Sequence, residues 1–406
     1  MMGEILIIAD DFTGANDTGV QLKKRGIKTK VVLNGAHIKN DGYSYVLDTE
    51  SRPLTAGEAK DEVFYELKNV NLDDYDLIYK KVDSTLRGNI SSEIKAIDEI
   101  CSPDIIVFAP SFPDIGRTTI GGIHLVNGKR ITQTEFAKDP KKPVLVDNLE
   151  DLFTDFDKED IQVNSLDKLR AHNLNLSEKR IQIFDIEEND DFHLLIDEVF
   201  KSQRKVLWVG SAGLANELFK KLYPQKSAIA VVGSLSDVSK AQVNYALKKG
   251  IDIVKIEISK LLENGDINSY VEKIRELISL NKDLIVTTSY SDEYYINALK
   301  KGEELSMTKE EISNFTQKIL SKIVISGIMG LDISGLFITG GDTAIEFIKA
   351  LNARGSIIEE EVITGIPLMR LDGGVYDKMK VITKAGAFGD EKAIVYSLEK
   401  IKEVRE

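Results

Sequence analysis

The chain has 406 residues, of which 42% are hydrophobic and 29% charged, a composition typical of soluble globular proteins rather than of disordered or membrane-embedded chains. The 53 basic and 66 acidic residues give a net charge of −13, which disfavours nucleic acid and anionic membranes as partners. The single cysteine, Cys101, excludes an internal disulfide, and without a Cys/His cluster the sequence gives no support for a zinc site.

The N-terminus, MMGEILIIADD, places five apolar residues before two aspartates. A signal peptide has a basic start and an apolar stretch of roughly 7 to 15 residues, and a membrane span needs an apolar run of about 18. The sequence contains neither pattern, and we therefore expect a cytoplasmic protein.

The first half of the chain alternates between short β-branched runs and stretches with helical periodicity. The runs lie at 4–10, 29–34, 43–49, 76–83 and 104–110, and the helical stretches at 14–25, 57–69 and 89–101. In the last stretch Ile90, Ile94 and Ile97 recur at the spacing of one helix face. Strands that alternate with helices predict an α/β fold, in which helices cover both faces of a mostly parallel sheet.

A domain boundary is predicted near residue 225. Before it, a strand at 205–210 leads through a Gly-Ser turn into a helix that stops at Pro224. After it, residues 227–250 repeat the same order of strand, Gly-Ser turn and helix. We therefore expect two α/β domains, which span residues 1–225 and 226–406.

Two further segments are expected to have structural roles. The charged stretch 148–200 has short strands and is interpreted as an extension of the first domain. Residues 301–328 contain a long helix that starts near Lys309. Its apolar residues share one face and are interpreted as packing rather than as part of a site; they are Ile312, Phe315, Ile319 and Ile323.

Two aspartates follow the first predicted strand. Asp10 and Asp11 lie in ADDFTGANDTG, residues 9–19, and the loop after such a strand lines the ligand crevice of an open parallel sheet. Two carboxylates can accept hydrogen bonds from substrate hydroxyls, hold Mg²⁺ or take a proton as general base. One of the two also fits the N-cap of the following helix.

A second polar loop, KKVDSTLRGN at 80–89, also follows a strand. Asp83, Ser84, Thr85 and Arg87 bring a carboxylate, two hydroxyls and a guanidinium within five positions. Because arginine binds carboxylate or phosphate bidentately, this set suits an anionic polyol. The alternative is a helix cap beside a surface arginine.

A third segment, APSFPDIGRTTIGGIHLVNG at 109–128, is expected to be a long loop, and long loops inside compact domains are often functional. Its candidate ligand contacts are Arg117 and His124. For His124 the alternative is a structural role, which is the more common one for a single histidine.

Four glycine-rich turns in the second half each join a strand. They lie at 231–239, 337–344, 364–374 and 383–390. Backbone N–H groups of such turns, together with a helix N-terminus, can bind phosphate. Four turns of this kind in one domain predict a nucleotide site.

Three common fingerprints are absent from the sequence. There is no GxxxxGK[ST] P-loop, no GxGxxG after the first strand and no GxSxG motif. The sequence therefore disfavours a Walker-type site, a dinucleotide-dependent redox enzyme and a serine hydrolase.

With these segments the chain resembles the four-carbon acid sugar kinase family, which includes D-threonate, D-erythronate and 3-oxo-tetronate kinases. The resemblance covers nearly the whole chain. Its landmarks, in order, are DDFTGAND at 10–17, DSTLRGN at 83–89, APSFPDIGRTTIGGIHLVNG at 109–128, GSAGLA at 210–215, GSLS at 233–236, GGDTA at 340–344 and KAGAFG at 384–389. Many relatives carry a cysteine where this chain has Leu235, and a longer Pro/Gly/Trp motif where it has residues 365–369.

The resemblance implies that an N-terminal domain holds the acid sugar, that a C-terminal domain holds ATP with Mg²⁺, and that phosphoryl transfer takes place in the cleft between them. By position, the implied ATP contacts are Ser234 or its neighbour Ser236, Gly340, Gly341, Asp342, Thr343 and Gly386. The implied substrate contacts are Asp10, Asp11, Asp83 and Arg87, with Arg87 on the substrate carboxylate. Ser84, Arg117 and His124 join them as substrate candidates from the loop arguments above.

The sequence thus predicts an ATP-dependent kinase that phosphorylates a hydroxyl, preferably the terminal one, of a four-carbon sugar acid. The general base is Asp10, Asp11 or Asp342, and the sequence does not choose among them. One alternative is a non-catalytic regulator that binds nucleotide or sugar acid, and another is a hydrolase or lyase that uses the paired aspartates without ATP. A homodimer is compatible with the sequence, although no particular stripe of residues indicates one.

Overall fold

A computed structural model describes residues 3–140 and 142–404. The chain forms two compact units. The first ends at Pro224, the second runs from Gln225 to Glu403, and Val404 belongs to the first. Which unit holds the sugar acid and which holds ATP stays a prediction at this point.

The first unit alternates strands and helices. Its strands are β1 (Ile5–Ala9), β2 (Thr29–Val32), β3 (Ser44–Asp48), β4 (Leu77–Lys81), β5 (Ile105–Ala109), β6 (Arg117–Ile120), β7 (Ile123–Val126), β8 (Lys129–Arg130), β9 (Ile161–Asn164), β10 (Ile181–Phe184) and β11 (Val206–Gly210). Its α-helices are α1 (Phe12–Lys23), α2 (Ala56–Leu67), α3 (Ile90–Cys101), α4 (Leu166–Arg170), α5 (Asn189–Lys201) and α6 (Ala212–Leu222).

Eight of these strands form one parallel sheet in the order β2-β3-β1-β4-β11-β5-β10-β9. The predicted α/β class is confirmed. The charged stretch 148–200 does extend the first unit, because β9 and β10 add to this sheet beside β5.

Successive residues of the central strands face two apolar layers. In β1, Leu6 and Ile8 belong to one buried cluster with α2 and α3, whereas Ile5 and Ile7 belong to another with α1, α5 and α6. This period of two, with both faces covered, explains why the strand reads as a continuous apolar run in the sequence.

The connections of this sheet diverge at its centre. The chain passes from β1 to β2 on one side and from β4 to β5 on the other, although β1 and β4 are neighbours. In open α/β sheets a ligand crevice opens at such a point, beyond the carboxyl ends of the strands. The predicted polar segments 9–19 and 80–89 include these two strand ends.

The segment 109–128 is not a long loop, and that prediction is wrong. Residues 117–130 form a small antiparallel sheet of β6, β7 and β8. Gly121 and Gly122, both with positive φ, make the two-residue turn between β6 and β7. A Gly-Gly pair between two β-branched runs is a hairpin signal, which the loop interpretation overlooked.

The second unit has the same alternation. Its strands are β12 (Ala228–Val232), β13 (Asp252–Lys255), β14 (Leu284–Thr287), β15 (Gly335–Thr339), β16 (Gly355–Ile363), β17 (Ile366–Asp372) and β18 (Lys380–Lys384). Its α-helices are α7 (Asp237–Lys248), α8 (Ile258–Asn264), α9 (Asn268–Ser279), α10 (Asp292–Glu304), α11 (Lys309–Ile328), α12 (Gly341–Ala350) and α13 (Ala393–Lys402).

These strands form a mixed sheet in the order β13-β14-β12-β15-β18-β17-β16. The first five are parallel, and β17 and β16 are antiparallel additions at one edge. From β12 the chain turns towards β13, and from β15 it passes to the opposite side, so the connections again diverge between two central neighbours.

One of the four predicted phosphate turns is wrong. Residues 364–374 are the strand β17 with a turn at each end, and this strand pairs with β16 and β18. Ile366 and Leu368 are buried at the two-residue spacing of a strand, which the flanking glycines concealed.

The predicted start of the long helix is confirmed. The long helix α11 starts at Lys309, and its Ile312 and Ile323 are buried in the core. Cys101 is a buried free thiol at the end of α3. Across residues 3–140 and 142–404, no helix has the length and apolarity needed to cross a bilayer.

Candidate functional site

Asp10 and Asp11 form a charged cluster with an arginine at the end of β1. The Arg52 guanidinium donates from Nε to Asp10 Oδ2 at 2.7 Å and from Nη2 to Asp10 Oδ1 at 3.0 Å and Asp11 Oδ1 at 2.7 Å. Asp10 is 2% exposed, so a cation is needed to keep its charge. Asp11 also caps α1 by accepting from the Gly14 N–H at 3.1 Å, which confirms the capping alternative for one of the pair.

Lys81 and Asp83 bring the neighbouring strand end into the same cluster. Lys81 is buried and donates from Nζ to the Val82 carbonyl at 2.9 Å. Burial lowers the pKa of Lys81, and the carboxylates of Asp10 and Asp83 oppose that shift. The charged cluster therefore consists of Asp10, Asp11, Arg52, Lys81 and Asp83.

Asp83 is held by its own loop. Its Oδ2 accepts from Thr85 Oγ1 at 2.5 Å and from Arg87 Nε at 2.5 Å. Burial alone would raise the pKa of Asp83, but the hydrogen bond from Arg87 and the charge of Arg52 outweigh it and lower that pKa. Arg87 reaches Asp139 with Nη1 at 3.2 Å, so both ends of its guanidinium contact carboxylates of the chain.

A buried ion pair lies beneath these loops. Lys80, on the opposite face of β4 from Lys81, lies 2.7 Å from Glu93 of α3, and both side chains are almost fully buried. Glu93 accepts from Ser51 Oγ at 2.8 Å, Ser51 Oγ lies 2.8 Å from Thr49 Oγ1, and the Thr49 N–H donates to the Ala9 carbonyl at 3.0 Å. This network joins the segments that carry Asp10, Arg52 and Asp83.

His124 is fully buried, with both ring nitrogens occupied by the protein. Nε2 lies 2.8 Å from the Ser84 carbonyl, and Nδ1 lies 3.1 Å from Thr119 Oγ1. Since a carbonyl only accepts, Nε2 carries the proton and Nδ1 accepts from the hydroxyl. Burial lowers the pKa of His124 to about 4. His124 thus anchors the polar loop through the Ser84 carbonyl. This placement supports the structural alternative for His124 and not the predicted ligand contact.

Arg117 lies on the small antiparallel sheet and not at the strand ends. Its guanidinium donates to the Ile115 carbonyl and lies 5.8 Å from the centre of the Phe136 ring. The Arg87 guanidinium lies 6.0 Å from the same ring. The two predicted arginines are thus linked through Phe136.

Three predicted loops of the second unit converge at the ends of adjacent strands. They follow β12, β15 and β18, and we refer to residues 233–236, 340–343 and 384–386 as the glycine loops. Ser236 caps α7 by accepting from Ser239 N at 3.2 Å, and Ser234 Oγ lies 3.1 Å from Ser236 Oγ.

The Gly386 carbonyl is fixed by three donors. Ser236 Oγ donates to it at 2.7 Å, Ser239 Oγ at 3.2 Å and Lys384 Nζ at 2.8 Å. Lys384 also donates to the Ala385 carbonyl at 3.0 Å. Burial lowers the pKa of the Lys384 ammonium to about 8. The Gly386 carbonyl is therefore occupied by hydrogen bonds from the protein itself.

The turns after β12 and β15 approach each other closely. A Cβ at Gly233 would lie 2.3 Å from Thr343 Oγ1, so only glycine fits there. Gly340 has φ of 105°, a conformation that favours glycine, and precedes the first turn of α12. The N–H groups of that first turn have no partner within the helix, and they carry its positive dipole end. Asp342 is exposed in this turn.

A cavity of about 330 Å³ opens beside these turns, entirely within the second unit. One end is lined by Gly233 to Leu235 and Gly340 to Thr343, and the other by α10 and α11. The α11 lining includes Ser313, Thr316 and Gln317, from a helix interpreted in the sequence as packing alone.

Sequence reasoning missed Arg52, Lys81 and the cavity wall of α11. Lys81 had a signal, because two lysines in a run that is otherwise buried need partners. Arg52 follows the third strand at the same sheet edge as Asp10, which would have identified it once the strand order was known. The cavity wall had no signal, since Ser313 and Gln317 read as the polar face of an amphipathic helix.

Two family models match this chain. Residues 5–218 match a model described as a sugar-binding N-terminal domain, and residues 229–394 match one described as a nucleotide-binding C-terminal domain. A solved protein of Bordetella bronchiseptica, described as a domain of unknown function with bound citrate and as a domain-swapped dimer, has a TM-score of 0.65 at 25% identity, over 100% of both chains.

Curated relatives match over nearly the full length. A D-threonate kinase of Salmonella typhimurium is 33% identical, with 99% of each chain covered. A D-erythronate kinase of Heliobacterium modesticaldum is 26% identical over 98% of each chain, and a 3-oxo-tetronate kinase of Pectobacterium atrosepticum is 24% identical over 95% of this chain and 96% of its own. This chain belongs to the four-carbon acid sugar kinase family.

Proposed function

We propose that this protein is an ATP-dependent kinase that phosphorylates a hydroxyl, preferably the terminal one, of a four-carbon sugar acid such as threonate, erythronate or 3-oxo-tetronate. The observation that carries the proposal is the charged cluster at the central strand ends of the first unit, in a chain whose full-length relatives are kinases of such acids. Carboxylates suit hydroxyl groups, and cations suit the acid group.

The substrate is held by the charged cluster and the loop beside it. Asp10, Asp11 and Asp83 accept hydrogen bonds from the hydroxyls, while Arg52 and Lys81 supply positive charge for the substrate carboxylate. Arg87 remains a second candidate for that carboxylate, because only its 3.2 Å contact with Asp139 must yield. Ser84 and Arg117 are further candidates at the edges of this loop.

Asp11 is the best candidate for the general base. Asp10 is buried and both of its oxygens already accept from Arg52, so neither is open to the hydroxyl of a substrate. Asp11 is only half-buried, and its hydrogen bonds from Arg52 and Gly14 both go to Oδ1. Asp11 Oδ2 can therefore receive the hydroxyl proton as the oxygen attacks phosphorus.

The glycine loops hold the phosphates of ATP. Backbone N–H groups in the first turn of α12, from Gly341 to Thr343, suit phosphate oxygens, with hydroxyls from Ser234 and Ser236 and the backbone of Gly386 beside them. In the transfer the hydroxyl oxygen forms a bond to the γ-phosphorus as the bond to the β-phosphate oxygen breaks, so catalysis rests on alignment and charge stabilisation.

Mg²⁺ is usually bound by one or two carboxylates together with substrate phosphates. Within residues 3–140 and 142–404 no group of three or more His, Cys, Asp or Glu side chains could hold a metal alone. The exposed Asp342, in the turn proposed for the phosphates, fits the single carboxylate of such a shared site. When bound there, Mg²⁺ would neutralise charge on the phosphate oxygens.

The proposal is tested by a coupled ADP-release assay with Mg-ATP and a panel of D- and L-threonate, D- and L-erythronate and their 3-oxo forms. We expect turnover with one member and its collapse in the Asp11→Asn variant through kcat, whereas Asp10→Asn should act mainly through KM. Turnover of none of the panel would overturn the proposal, and near-normal kcat in Asp10→Asn, Asp11→Asn and Asp342→Asn would overturn the general base.

Two further features belong to the proposal. A reaction that consumes ATP requires a compartment that supplies it, which supports a cytoplasmic location. A homodimer is supported by the Bordetella bronchiseptica protein, whose structure is described as a domain-swapped dimer. Sedimentation of the purified protein as a monomer at micromolar concentration would contradict the dimer.

A further inference from the structure

The cavity of the second unit has two chemically different ends. At one end the turns after β12 and β15 present glycine backbone and the N-terminus of α12, which suit an anion. At the other end Ile258, Ala298, Leu299, Ile312 and Leu320 form an apolar wall. A ligand that fills the cavity must therefore be anionic at one end and largely apolar at the other.

A small set of polar groups interrupts the apolar end. Ser313, Thr316 and Gln317 lie on one face of α11, between the buried Ile312 and Leu320. Thr316 Oγ1 donates to the Ile312 carbonyl at 2.8 Å, so its hydroxyl hydrogen is already used. Gln317 Nε2 lies 3.3 Å from Ser313 Oγ, a long bond that leaves most of the capacity of the amide open to a ligand.

The size of the cavity limits the ligand. At about 330 Å³ it falls at the lower end of the range for small-molecule sites, which are mostly apolar with a few polar groups that fix orientation. A flat heteroaromatic base joined to a sugar satisfies these requirements: the base lies against the apolar wall, and its phosphates extend to the glycine loops.

We propose that this cavity binds the nucleoside end of the phosphoryl donor and that Gln317 is its base-selecting residue. The proposal rests on the function proposed above, because it assigns the base subsite of the same nucleotide. It places recognition of the base on α10 and α11 and recognition of the phosphates on the strand-end turns, in one continuous cavity.

The chemistry of Gln317 predicts a particular selectivity. A carboxamide offers an acceptor and a donor side by side, which match the amino group and the adjacent ring nitrogen of adenine. A carboxylate only accepts. Glutamate at this position would therefore be repelled by the ring nitrogen of adenine and attracted by the adjacent N–H groups of guanine.

The first test fills the cavity. Ser313 is exposed at its mouth, so Ser313→Trp inserts a large ring without removing a core side chain. We expect the Kd values of adenosine and ADP, measured by calorimetry, to rise at least tenfold, while the Kd of inorganic tripolyphosphate stays within about twofold. Asn314→Trp is the matched control, because Asn314 is exposed on the same helix and does not line the cavity.

The second test changes the base preference. Gln317→Glu should shift the ratio of kcat/KM for ATP over GTP by at least tenfold towards GTP, with the KM for sugar acid unchanged. Asn314→Asp makes the same amide-to-carboxylate change outside the cavity and should leave the ratio unchanged. An unchanged ratio in Gln317→Glu, or equal loss of adenosine binding in both tryptophan variants, would overturn the proposal.

These results separate this inference from the proposed kinase activity. If the wild type binds adenosine and Ser313→Trp abolishes this binding, the cavity assignment is supported even if no sugar acid is phosphorylated. Conversely, turnover with ATP that is indifferent to both Ser313→Trp and Gln317→Glu would leave the kinase activity standing and remove the base subsite.

Discussion

The two candidate sites occupy equivalent places in their sheets but offer different chemical groups to a ligand. In the first unit, the ends of β1 and β4 carry the charged cluster, in which side chains of opposite sign neutralise one another. In the second unit, the ends of β12, β15 and β18 carry glycine, serine and threonine, and the groups offered to a ligand are mostly backbone N–H. A similar topology thus supports an ion-pair site and a backbone site.

This difference determines how each site fails. Removal of one partner from a buried ion pair leaves the other charge uncompensated, so the first site is sensitive to the loss of a side chain. Backbone N–H groups cannot be deleted by side-chain substitution, but a ligand must be able to reach them. The second site is therefore sensitive to side-chain atoms added at its glycine positions.

The largest effect is expected for Arg52→Ala. It leaves the buried Asp10 without its cation, and kcat/KM for the sugar acid should fall about 10³-fold, equivalent to about 4 kcal/mol, with little change in the KM for ATP. Steady-state kinetics with each substrate varied in turn measures this, and Arg52→Lys should recover part of the loss. Arg170→Ala, which breaks an ion pair with Asp191 elsewhere in the unit, serves as control. Equal losses in the two alanine variants would contradict the ion-pair site.

His124 should make the first unit lose stability as the pH falls. The folded chain lowers the pKa of His124 from 6.5 to about 4 by burial, so between these values the unfolded chain binds more protons and stability falls as the pH falls. Relative to a His124→Gln variant, the wild type should lose about 3 kcal/mol across this window, whereas the pKa of Asp48, raised to about 6 by burial, acts in the opposite direction in both proteins. Trp208 is the only tryptophan and lies buried in β11, so urea unfolding followed by its fluorescence reports this unit. The difference between the wild-type and His124→Gln curves should follow this dependence, and parallel curves would exclude His124 as its source.

A single added methyl group should damage the backbone site. Gly233→Ala places a Cβ 2.3 Å from Thr343 Oγ1, and because Thr343 is buried and β-branched, the turn must move. We expect the KM for ATP to rise about 10- to 100-fold, in line with the 1–3 kcal/mol of overpacking, and the KM for sugar acid to stay constant. Gly355→Ala, where a Cβ meets nothing within 4 Å, should have no such effect. Similar kinetics for the two variants would show that ATP binding does not require the close approach of Gly233 to Thr343.

The smallest effect concerns alkaline stability of the second unit. Burial lowers the pKa of Lys384 from 10.5 to about 8, so between these values the unfolded chain binds more protons and stability rises with pH. Relative to Lys384→Met, the wild type should gain about 1–2 kcal/mol between pH 8 and 10, as measured by calorimetry at each pH. A gain of the same size in the variant would assign the effect to other groups.

The contrast also explains what the sequence could predict. Short apolar runs such as ILIIA, which alternate with helical stretches, indicated the parallel sheets. Asp10, Asp11 and Asp83 were visible because they are charged residues directly after apolar strands. The glycine loops were visible as turns after strands. The hairpin from Arg117 to Val126 was missed because its glycines were read as loop residues.

Other features depend on distances that one sequence does not contain. Arg52 is 41 positions away from Asp11 in the chain, and their contact exists only because β3 lies beside β1 in the sheet. The role of Gln317 depends on a cavity left between α10 and α11, and a polar residue on a surface helix has the same appearance with or without a cavity beneath it.

The buried pair of Lys80 and Glu93 affects thermal stability and the alignment of the candidate site in different ways. The desolvation of two ions offsets most of their attraction, so two well-packed apolar residues in their place would leave the fold equally or more resistant to heat. The same exchange would remove the bond from Ser51 that aligns the segments bearing Asp10 and Arg52. A screen for heat tolerance would therefore select against the alignment that the reaction requires, and this protein is expected to be less stable than its architecture permits.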